Sequence, residues 1–149
     1  MKIGIASDHR GYALKNKIIK YLEKKKHNTL DYGTNSLDKV DFVDYAVKIG
    51  EAINKNEIEL GILICGTGIG MSIAANKIKG IMCAKTDNAE EAYYAKRHNN
   101  VNVISINSRK NILIVKDILD KFLETEFEEE ENYIRRINKI QEIEKSSKN

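Results

Sequence analysis

Short apolar runs that end in a polar or glycine-rich turn, and are then followed by helical periodicity, recur along this chain. That alternation constrains its fold more than any other feature. KIGIA at 2–6 and LGILI at 60–64 are the clearest cases. Each is brief and, apart from the leading Lys2, apolar, as parallel strands buried on both faces are. Further strands are predicted near 28–32 (NTLDY), 81–84 (IMCA) and 102–106 (NVISI).

Helical spacing fills the intervals. Leu14, Ile18, Tyr21 and Leu22 share one face of a first helix, and Val43, Val47, Gly50 and Ile53 are read as the buried stripe of a second. A third starts after the glycine loop with Ile73 and Ala74. A fourth, over 87–97, opens on DNAEE, read as an Asp87 N-cap followed three residues later by glutamate. Ile112, Val115, Ile118, Leu119 and Phe122 mark the fifth. Ile134, Ile137, Ile140 and Ile143 give a last helix with no strand after it, and EKSSKN is read as a frayed tail.

Five β-α repeats with short connections imply an α/β three-layer sandwich around a five-stranded parallel sheet, with an extra C-terminal helix. The 149 residues fit one domain, expected over 1–149, with neither linker nor internal repeat. A chain of this size buries about 70% of its unfolded surface, so it needs no disulfide or metal staple. The unpartnered isoleucine stripe must pack on the sandwich or on a second copy.

Composition excludes several function classes. Although 32% of residues are charged, 25 basic against 22 acidic residues leave only +3, and the run Glu128 to Glu131 interrupts any basic footprint. Nucleic acid is not an expected partner. Lys24, Lys25, Lys26 and His27 read as a solvated helix end. Two cysteines without a framework, no secretory signal and no apolar run near 18 residues predict a cytoplasmic protein without a membrane partner.

In open parallel sheets ligands bind beyond the carboxyl ends of the strands. That rule selects Ser7, Asp8, His9 and Arg10, then Cys65 to Gly70, then Thr86 and Asp87, and finally Asn107, Ser108 and Arg109. The loop is not a dinucleotide fingerprint, because the third glycine would fall on Met71, and no Gly-Lys-Ser/Thr follows for a P-loop. Gly66, Gly68 and Gly70 instead offer backbone N–H groups at a helix start, suited to an anion or a developing oxyanion. Cys65 precedes them, where those groups favour a thiolate able to act as nucleophile or base; no CxxC or His-rich spacing points to a metal. Cys83 reads as a buried hydrophobe, and His98 at a helix end fits either a cap or an acid.

SDHRG at 7–11, ICGTGIGMSIAANKIKGI at 64–81, HNNVNVI at 98–104, SR at 108–109 and RRINKI at 135–140 resemble the type B ribose-5-phosphate isomerases and their sugar-phosphate isomerase relatives. The resemblance spans nearly the whole chain. It implies a Rossmann-like fold, a homodimer with shared active sites or a tetramer built from it, a sugar-phosphate substrate and no cofactor. Cys65 would be the base, Thr67 would assist ring opening, and His98 from the partner copy would protonate the ring oxygen. Asp8, His9, Asn99 and the loop Gly66, Thr67, Gly68, Ile69 and Gly70 would line the sugar, while Arg109 and Arg136 would hold the phosphate.

The sequence departs from that pattern in three places. Asn132 stands where the first of two phosphate-binding arginines is expected, after Glu129 to Glu131 in place of glycines. Phe42 and Val43 replace a Tyr-Pro pair, and Asn107 replaces a glycine before Ser-Arg. Met71 and Ser72 supply no glutamate that could take over as base, which leaves Cys65. The weakened phosphate region keeps a six-carbon substrate open, allose 6-phosphate or galactose 6-phosphate. A non-enzymatic nucleotide-binding module is the more distant alternative.

Overall fold

The computed structural model describes residues 1–146, with strands and helices in the predicted order. β1 (Lys2–Ser7), β2 (Asn28–Asp31), β3 (Leu60–Cys65), β4 (Cys83–Lys85) and β5 (Val103–Asn107) form one parallel sheet ordered β2-β1-β3-β5-β4. Right-handed crossovers decide the layers. The two moves toward the β2 edge, β1 to β2 and β4 to β5, carry α1 (Tyr12–Lys24) and α4 (Ala89–Asn99) on one face. The two opposite moves carry α2 (Phe42–Asn54) and α3 (Ile69–Asn76) on the other. α5 (Ile112–Glu124) packs beside α1 and α4.

β3 lies at the centre and is buried along its whole length. Its side chains alternate between two cores: Ile62 and Ile64 meet Ile18, Leu22, Val115 and Phe122, whereas Leu63 and Cys65 meet Ala46, Ile49 and Met71.

Helix existence follows the sequence, but helix facing does not always. In α2 the buried residues are Ala46, Ile49, Gly50 and Ala52, while Val43 and Val47 are exposed. The close approach of α2 to its neighbours selects small side chains: a Cβ on Gly50 would stand 2.7 Å from Ile78 Cδ1. The expected valine stripe therefore faces outward. Likewise α3 buries Met71 and Ala75 and exposes Ile73.

The cap of α4 is shifted by one residue from the expected Asp87. Asn88 Oδ1 accepts the N–H of Glu91, and the Glu91 carboxylate accepts the N–H of Asp87, a reciprocal capping box. Asp87 is instead held by Lys85 at 2.7 Å and Lys110 at 3.4 Å.

α6 (Glu131–Ser146) buries none of its residues, and Ile134, Ile140 and Ile143 are exposed. Helix continues through Glu144, Lys145 and Ser146 of the expected tail; 147–149 lie outside the described residues.

One part-buried ion pair fixes the start of the site. Lys15, fully buried in α1, donates to both carboxylate oxygens of Asp31 at 2.7 and 2.8 Å. Asp31 also accepts the N–H of Gly33 at 2.9 Å, and the Gly33 carbonyl accepts the N–H of Ser7 at 2.7 Å. The end of β1 is thus tied through β2 to α1. Asp31→Ala strands the Lys15 ammonium and should cost about 1.5–3 kcal/mol in urea unfolding. Lys15→Met should cost less, because Asp31, 38% exposed at its side chain, can be hydrated.

Candidate active site

The strand register brings three chain ends level. Ser7 of β1 pairs with Ile64, and the next residue of β3, Cys65, pairs with Asn107 of β5. From β1 the chain runs outward to β2 and then back past β1 to β3, so the β1/β3 boundary is the topological switch point where a crevice is expected. A cavity of about 440 Å³ opens there. Asp8, His9, Cys65, Gly66, Thr67 and Gly70 line it together.

Each of these side chains is held by backbone. Asp8 Oδ1 accepts the N–H groups of Arg10 (3.0 Å) and Gly11 (3.1 Å), opening α1, and the Asp8 N–H donates to the Ile64 carbonyl at 3.2 Å. His9 Nδ1 accepts the N–H of Val40 at 3.3 Å, so in the neutral ring Nε2 carries the proton. Thr67 Oγ1 accepts the N–H of Ile69 at 3.1 Å, which leaves its hydroxyl hydrogen free to donate.

Cys65 is 4% exposed, and its Sγ accepts the N–H of Gly68 at 3.2 Å. Gly68 is fixed from behind: its carbonyl accepts from Ser105 Oγ at 2.7 Å and from the Ser72 N–H at 3.2 Å. It does not line the cavity, nor does Ile69, whose side chain is exposed. Gly68 adopts φ +79°, and a Cβ there would stand 3.1 Å from the Ile106 carbonyl carbon and 3.2 Å from Asn107 N. Gly68→Ala should therefore unfold at lower urea, by at least about 1–2 kcal/mol for the left-handed backbone alone.

The remaining predicted residues lie elsewhere. His98 ends α4, stacks on Tyr133 of α6 with centroids 4.5 Å apart, and has Nε2 3.9 Å from the Glu128 carboxylate. Arg136 lies 5.8 Å from the same tyrosine ring. Asn99 and Asn132 belong to these two helices. Arg109 is exposed just past β5, its N–H donating to Asn107 Oδ1 at 2.8 Å. None of His98, Asn99, Arg109, Asn132 and Arg136 lines the Cys65 cavity. Most predicted site residues thus divide into a cavity group and a helix-end group, while Gly68 and Ile69 sit beside the cavity and Arg109 just past β5.

Arg10, one of the strand-end residues, lines the cavity, and so do Lys39, Val40 and Asp41, which sequence reading does not assign to the site, as well as Phe42. The signal was topological. A chain returning from β2 at the sheet edge to β3 must cross the top of β1, which brings the segment before α2 over the crevice. Phe42 closes it: a Cβ on Gly70 would stand 2.7 Å from the ring's Cζ.

The second cysteine behaves differently. Burial pushes the Cys83 thiol from 9.0 up to about 12, partly offset by hydrogen bonds with Ser72 and Ser105. A raised acid pKa means that stability is intact below 9.0 and is lost as pH rises toward 12, where the unfolded thiol ionises first. Cys83→Ala should flatten this alkaline limb of the stability curve. Iodoacetamide at about pH 8 should leave Cys83 unmodified in the native chain, as read by peptide mass.

Among the described residues no group of three or more His, Cys, Asp or Glu could hold a metal ion, and no helix is long and apolar enough to cross a membrane. Sheet order and cavity together define a Rossmann-like α/β protein with a polar acid–base pocket at its switch point. Residues 3–140 match the family described as Ribose/Galactose Isomerase, and the chain belongs to that family. It is 48% identical over 127 residues to a putative sugar phosphate isomerase of Rickettsia conorii, covering 85% of this chain and 88% of the relative. A ribose-5-phosphate isomerase B structure from Clostridium thermocellum superposes with TM-score 0.95 at 41% identity, covering 98% and 99% of the two chains. The Mycoplasma genitalium ribose-5-phosphate isomerase B, solved with bound ribulose-5-phosphate, gives TM-score 0.92 at 40% identity over 98% and 97%.

Proposed function

We propose that this protein interconverts ribose 5-phosphate and ribulose 5-phosphate through an enediolate, with Cys65 as the base. The observation that carries the reading is the Cys65 sulfur at the cavity wall, receiving the backbone N–H of Gly68 from the glycine loop that lines the same cavity. Aldose–ketose exchange moves one proton between adjacent carbons, so a single base of suitable reach serves both. The Cys65 thiolate takes the proton from C2 of the open-chain aldose. The C1 carbonyl oxygen becomes the enediolate oxygen, stabilised by loop N–H groups. The hydroxyl proton of O2 passes to O1, and the thiol returns its proton to C1, giving the ketose with nothing gained or lost.

Ring opening needs an acid at the ring oxygen. His98 of a second copy of the chain is assigned this role with help from Thr67, since within one chain His98 and Cys65 belong to separate groups. Asp8, His9 and Asn99 bind the sugar hydroxyls, and Arg109 and Arg136 bind the phosphate. The reading therefore includes a homodimer with shared sites, one sugar-phosphate isomerase domain over 1–149 and a cytoplasmic setting.

Purified enzyme should convert ribose 5-phosphate, and Cys65→Ala should lower kcat by about 10²–10⁴-fold with the fold retained by circular dichroism. Absence of turnover in the wild type, or near-normal turnover in the variant, overturns the reading. Asn132 beside the Glu129 to Glu131 run favours comparing hexose phosphates in the same assay, because a displaced phosphate contact changes the chain length accepted. A higher kcat/KM for allose 6-phosphate or galactose 6-phosphate would move the assignment to a six-carbon substrate.

A further inference from the structure

We infer that Arg10 is a phosphate-binding residue of this isomerase, an inference that rests on the sugar-phosphate reading above. Arg10 follows Asp8 and His9 at the mouth of the crevice and lines the same cavity as Cys65 and Thr67. Its guanidinium lies across the glycine loop. A Cβ on Gly66 would stand 3.0 Å from Arg10 Cδ and 3.1 Å from Nη1, so only glycine at that position lets the arginine lie there. The backbone N–H of Arg10 is anchored on Asp8 Oδ1 at 3.0 Å, which fixes where the side chain begins.

Charge accounting makes the cation a binding group. Asp8, the nearest carboxylate in sequence, directs Oδ1 to two backbone N–H groups. Among the described residues no carboxylate pairs with the Arg10 guanidinium. An exposed arginine lying beside Gly66 presents a planar fork of donors to whatever anion enters. The phosphate dianion is the charged part of the substrate, and a guanidinium meets it bidentately. At the helix-end group, by contrast, Arg136 is accompanied by neutral Asn132 and by Glu129, Glu130 and Glu131. The Cys65 cavity holds two cations, Arg10 and Lys39, beside two carboxylates, Asp8 and Asp41, and Asp8 is engaged by backbone N–H groups.

The test measures kcat and KM for ribose 5-phosphate, inhibition by inorganic phosphate, and calorimetric binding of ribose 5-phosphate, in wild type, Arg10→Gln and Arg10→Lys. Arg10→Gln should raise KM, the phosphate inhibition constant and the calorimetric Kd together, each by about tenfold or more, which is the loss of one charge-assisted contact. Its kcat and melting temperature should stay near wild type, and Arg10→Lys should recover part of the affinity. Unchanged phosphate inhibition and Kd, or a loss confined to kcat, overturns the assignment. Wild type that binds ribose 5-phosphate through Arg10 without turning it over would instead sink the isomerase reading and leave the anion site standing.

Discussion

The parallel ladder joining β1, β3 and β5 is the interaction on which the rest depends. β3 is hydrogen-bonded on both edges and covered on both faces, so its position is over-determined by four sets of neighbours. With β3 fixed, Asp8 after β1, Cys65 at its own end and Asn107 at the end of β5 fall at one level. A slip of one residue in that register would turn Cys65 toward the opposite core. The site's geometry is therefore a property of the sheet before it is a property of any loop.

Behind the sulfur a second layer of support is visible. Ser105 on β5 donates to the Gly68 carbonyl, and Gly68 in turn donates to Cys65. The glycine whose N–H meets the thiol is consequently anchored to a neighbouring strand as well as to its own helix. Gly68 is needed for backbone close approach, whereas Gly66 and Gly70 leave room for side chains, Arg10 and Phe42 respectively. Three glycines in five residues thus answer three different steric demands.

The strand pattern was legible because β3 along its length and β1 from Ile3 to Ala6 are apolar without a break, a signature that double burial imposes. The cavity group was also legible, since Asp8, His9 and Cys65 follow directly from strand ends. Helix faces were harder to read. Large side chains mark a stripe only where helices keep their distance, and α2 buries alanine and glycine instead of Val43 and Val47. The Asn88 cap shows the same limit at finer scale, because two adjacent residues, Asp87 and Asn88, both make good caps and only the surrounding lysines decide between them. The strand-end rule reached Arg10, but the segment before α2 could be placed only once the strand order was known.

The separation of the Cys65 cavity from the His98, Tyr133 and Arg136 cluster has a genetic consequence. In an assembly where one copy's cavity meets another copy's cluster, a chain damaged at Cys65 still carries a sound His98, and the reverse holds for its counterpart. Two differently inactivated copies combined in one dimer would then rebuild one intact site out of two. Inheritance of defects would follow the pairing of subunits, with inactive alleles complementing each other across groups and failing to do so within a group.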